Sequence, residues 1–108
     1  MKEIMGEVNA MGAYLDESNS AMGGYMQDYD KAMITDDEER AKQALNRLYS
    51  AHYEAYQFLL ARLEKFKRME KEHEEEIREV LSSVVDLTTK LIQEHSISLN
   101  AILDIETS

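Results

Sequence analysis

The chain has 108 residues, with 22 acidic side chains against 12 basic ones, three histidines, no cysteine and no proline. A net charge of −10 argues against direct binding to nucleic acid or anionic lipid, which rests on clustered lysine and arginine; the lack of cysteine excludes disulfides, thiolate zinc sites and cysteine nucleophiles. Glycine occurs four times, never beyond Gly24, so the turn chemistry of a sheet protein is missing and the expected fold is a single all-α domain, residues 1–108.

The first predicted element is an amphipathic, methionine-rich helix over residues 1–34. Ala10-Met11, Ala21-Met22 and Ala32-Met33 recur every eleven residues, and eleven residues make three helical turns, so the repeated pairs stack on one face. Met11, Leu15, Met22, Met26, Tyr29 and Met33 form the apolar stripe of that face, extended towards the N-terminus by Ile4 and Val8. Flexible thioethers suit an adaptable interface, and the stripe reads either as a partner-binding face or as core. Gly12 and Gly23 fall at its edge, where a missing side chain would let another backbone come close.

A second helix is predicted to begin at Thr35, with Thr35 as N-cap and Glu38 as the reciprocal partner of a capping box. From there an apolar seam repeats in steps of four and three through Leu45, Tyr49, His52, Tyr56, Leu59, Leu63 and Phe66, then through Glu70 and His73, and on through Ile77, Val80, Val84, Leu87 and Leu91. The polar stretch 62–79 carries no Gly, Pro, Asn or Asp to shape a turn and the register survives across it, which predicts one helix over 35–95, about 90 Å long. A lone helix of that length cannot bury its own seam, so a coiled coil or helical bundle built from several copies is expected. Residues 96–108 lose the register yet hold Ile97, Leu99, Ile102, Leu103 and Ile105, which predicts a short apolar third helix or docking peptide.

Chemistry has few places to reside. Glu70 and His73 have the i,i+3 spacing with which a di-iron bundle presents carboxylate and imidazole to metal, and the run MEKEHEEEI resembles the metal-binding helix of ferritin-like and rubrerythrin-like proteins. That resemblance implies a metal site assembled from several chains; otherwise the pair is a polar layer that sets helix register. His52 lies in the same seam about 31 Å away and would make assembly pH-sensitive. No phosphate loop, nucleophile–base pair or zinc-type spacing occurs, so no enzymatic activity and no cofactor are expected. The first functional reading is an acidic helical oligomer acting as adaptor, chaperone or assembly factor, with itself and another protein as partners and a cytoplasmic location. A DNA-mimicking inhibitor of a nucleic-acid-binding protein is the second reading, and a ferritin-like metal protein the third.

Overall fold

The computed structural model describes residues 2–72 and 75–107, apart from the side chain of residue 76. These residues form three helices and no strand: α1 (Lys2–Ile34), α2 (Glu38–Glu72) and α3 (Glu75–Thr107). The all-α class is thereby established, and α1 coincides with the expected N-terminal helix.

The α1–α2 junction is built by side chains that each satisfy backbone groups a helix end leaves open. Asp36 adopts a left-handed backbone, with φ 58°. Its N–H donates to the Met33 carbonyl at 3.4 Å and that of Asp37 to the Ala32 carbonyl at 2.8 Å, the paired bonds of a Schellman ending. The Thr35 hydroxyl donates back to the Lys31 carbonyl at 3.0 Å, so Thr35 finishes α1 instead of starting α2. The N-cap is Asp37, whose Oδ1 accepts from the Arg40 N–H at 3.1 Å. The N-cap expected at Thr35 lies two residues later because the tight α1 ending consumes Thr35, and with Arg40 at the N3 position the expected capping box with Glu38 does not form.

The single helix expected over 35–95 is two helices, and the heptad register does not run through. The chain reverses between Glu72 and Glu75, so that Phe66 of α2 and Leu81 of α3 enter one core cluster and His52 meets His95. Helix propensity favours continuing the rod, but folding back lets one chain cover its own apolar stripe, and burial outweighs the small propensity preference of a few residues. The reversal removes the reason for requiring a second copy. Nor is there a separate C-terminal helix, since α3 continues to Thr107 with Ile102 as a buried anchor.

Two clusters make the core. Ile4, Met11, Leu59, Phe66, Met69 and Leu81 pack in one half of the bundle, and Met22, Leu45, Leu48 and Ile102 in the other. The buried positions of α3 lie seven apart, at Leu81, Thr88, His95 and Ile102, one residue out of step with the expected seam. Val80 and Leu87 of that seam consequently face outward, while Ile77, Val84 and Leu91 are half-buried. In α1 the period of eleven also yields to packing: Met11 and Met22 are buried, but at the third repeat Ala32 is buried and Met33 is 59% exposed. A Cβ at Gly6, Gly12, Gly23 or Gly24 would meet nothing within 4 Å, so no backbone uses the glycine edge.

Polar contacts reinforce the α1–α2 pairing. Arg62 and Lys65 both donate to the Glu7 carboxylate, Arg62 lies 4.9 Å over the Phe58 ring, and Phe58 stacks on Tyr14 with ring centres 3.9 Å apart. The fully buried Thr88 donates its hydroxyl to the Val84 carbonyl at 2.7 Å and touches Met11 Sδ at 3.8 Å, so its polarity is satisfied inside the core. The molecule measures 57 × 23 × 15 Å. Helices α1 and α3 both run against α2 and hence parallel to each other, which places the N-terminus of α1 and the C-terminus of α3 at opposite ends.

Candidate interaction site

Parallel helices α1 and α3 flank a cleft whose floor is α2. Towards the C-terminal ends of α1 and α3 it holds a cavity of about 240 Å³, floored by Leu45, Leu48 and His52 and walled by Met26 and Tyr29 on one side and Ser98, Ala101, Ile102 and Ile105 on the other. An adjoining cavity of about 220 Å³ shares His52 and Ser98 and continues past Leu15, Asn19 and Met22 to Leu91, Glu94 and His95. Together they trace one apolar trough along the bundle with a polar centre.

That centre is a histidine pair. His52 Nδ1 and His95 Nδ1 stand 2.7 Å apart with ring centres separated by 5.0 Å, so one ring donates its Nδ1–H and the other accepts. Burial holds both imidazoles below their ordinary pKa; the neighbouring His95 lowers His52 further, whereas Glu94 partly offsets the effect at His95. Burial favours the neutral rings, and the pair cross-links α2 and α3 through a hydrogen bond that is lost when both rings carry a proton.

The chain matches no protein-family model, and comparison with curated proteins and with solved structures yields no significant similarity. No helix among the described residues is long and apolar enough to cross a membrane.

Of the predicted α1 face, Met11 and Met22 are consumed by the core, Leu15 and Tyr29 are half-buried against it, and Met26 and Met33 remain outward. Most of that face is therefore core, not a free docking surface. Among the α2 seam residues Leu45, Leu59 and Phe66 are buried, and Tyr49, His52, Tyr56 and Leu63 are half-buried. Glu70 borders a surface hollow with Lys67, Lys71 and Arg78; His73 lies outside the described residues. Among the described residues no group of three His, Cys, Asp or Glu could hold a metal ion.

Sequence reasoning missed Asn19, His95, Ser98 and Ala101 as cleft residues, and it read Ile102 and Ile105 as part of an apolar tail. The signal for His95 was conditional: it meets His52 only once α3 runs back along α2.

Proposed function

We propose that the chain is a non-enzymatic protein–protein interaction protein, an acidic helical bundle serving another protein as adaptor, chaperone or assembly factor in the cytoplasm. The observation that supports this reading is the trough between α1 and α3, an open apolar surface on a chain that has already buried two core clusters of its own. Met26 of its wall is exposed, and Met33, Ile34 and Ile97 are further exposed apolar side chains in the same half of the molecule. Unbranched methionines at the margin let such a surface adapt to its occupant.

Burial at a spacing of seven supports coiled-coil-like packing within one chain. Self-association is the second reading: Val80 and Leu87, exposed one behind the other on α3 outside the trough's half of the molecule, favour a contact between copies there.

The test is a photo-crosslinking amino acid introduced at Met26 or Met33 in the source cells, with the same probe at the exposed Glu64 of α2 as control. A discrete adduct with another protein from the first two positions and not from Glu64 is the expected result. Equal adducts at all three positions, or none, would overturn the proposal, and an adduct with the mass of two chains would favour self-association.

A further inference from the structure

The net charge of the chain is concentrated in the half of the molecule that holds the trough. Residues 16–53 and 94–107, which make the half of the bundle containing the apolar cavity, hold eleven carboxylates against four basic side chains, a net of −7 out of the chain's −10. On the flanking elements alone the imbalance is steeper: residues 16–37 and 94–107 carry nine carboxylates and only Lys31 in opposition. The remaining residues hold eleven carboxylates against eight basic side chains, a net of −3. An apolar slot in a half-molecule of one sign of charge, with Glu94 on the wall of the adjoining cavity, selects its occupant twice, through the area it desolvates and through the potential it presents.

The slot is also shaped for a helix. Its walls are two parallel helices, α1 and α3, and its floor a third; a cavity of about 240 Å³ accepts one or two large aliphatic or aromatic side chains. A helix laid between such walls presents side chains three or four residues apart to the floor and leaves its opposite face in water. A second copy of this chain is a poor occupant, because it would bring a net charge of −10 towards a half-molecule of net −7. The missing partner is therefore apolar on one face and basic on its flanks.

We propose that the α1–α3 trough binds a cationic amphipathic helix of another protein, its apolar side chains entering the cavity beside Met26 and Ala101 and its lysines and arginines drawn by Glu94 and the net negative charge of that half of the molecule. This rests on the reading of the chain as an interaction protein and specifies the partner's chemistry. Steering by the acidic half makes association fast at low salt, and burial in the trough sets residence time.

The experiment is fluorescence anisotropy of a labelled 18-residue leucine/lysine helix titrated with the intact protein. The controls are a peptide of the same composition scrambled to abolish the apolar face, and an analogue with glutamate in place of lysine. The expected result is 1:1 binding of the amphipathic peptide about tenfold or more tighter than the scramble, no binding of the glutamate analogue, and a weakening with salt. Met26→Glu and Ala101→Glu, both at exposed wall positions, should each weaken binding about tenfold, while Val80→Glu, at the other end of the bundle, leaves it unchanged. Equal affinity for the scramble, or wild-type affinity in both wall variants with helicity intact by circular dichroism, would overturn the proposal. If the peptide fails while the Met26 crosslink to another protein forms, the interaction reading stands and the cationic helix is the wrong partner.

Discussion

Single residues carry the two most direct tests of this structure. Asp36 holds a left-handed backbone at the negative end of the α1 dipole, a conformation that suits glycine, while its charge opposes the α1 C-terminus and favours the α2 N-terminus that follows. Asp36→Gly is expected to stabilise the protein by about 0.5–1 kcal/mol, read as an upward shift in thermal midpoint. The histidine pair sets a pH dependence whose sign follows from its direction. Because burial lowers both folded-state pKa values below the ordinary 6.5, the unfolded chain takes up protons first as pH falls. Stability is full above about pH 6.5 and declines as the pH drops towards the folded-state values. Glu7, held below the ordinary 4.5 chiefly by its hydrogen bond from Lys65 with help from Arg62, adds a further loss only under more acid conditions. Urea unfolding at pH 7.5 and 5.5 should register the first decline, and the double variant His52→Leu, His95→Leu should flatten it. An unchanged slope in that variant would assign the decline to other groups.

At the level of elements, what was legible in the sequence follows the physics of each signal. Helix type was plain, because the whole chain is written in helix formers with apolar residues at spacings of three and four. The junction at residues 34–37 was placed correctly because acidic and hydroxyl side chains crowd there, although Asp37 and not Thr35 is the N-cap. The reversal after Glu72 was not legible. Its neighbours include no Gly, Pro, Asn or Asp, and the apolar register continues across it by coincidence, with Val80 and Leu87 in phase yet outward. The eleven-residue repeat of α1 misled in the same way, since packing selects Ala32 over Met33 at the third copy. The glycines, read as places of close approach, border open space instead. Each of Gly6→Ala, Gly12→Ala and Gly23→Ala should therefore stabilise α1 by about 0.5–1 kcal/mol with no steric penalty, measured by chemical denaturation. A destabilising alanine at any of these positions would mean that a surface touches it in solution.

For the whole molecule the decisive distinction is between a rod and a folded bundle. A continuous helix over 35–95 would have a radius of gyration of about 26 Å from its length alone, whereas the three-helix bundle has 17.1 Å over its Cα atoms. Small-angle X-ray scattering of the dilute protein should return a value near the smaller figure, increased slightly by hydration. A value above about 25 Å would restore the extended helix and, with it, the need for further copies. Half of the candidate site escaped sequence reading for the same topological reason: the trough exists only once α3 has come to lie beside α1, and no local pattern within either helix announces the other.

The parallel course of α1 and α3 gives the molecule a mechanical character as well. Its two ends sit at opposite poles, so anything fused to both is held apart by about the length of a 33-residue helix, roughly 50 Å. Tension applied between those ends runs along the helix axes and through the middle helix in the reverse sense, loading both apolar seams in shear so that they must slide past one another together instead of peeling open a turn at a time.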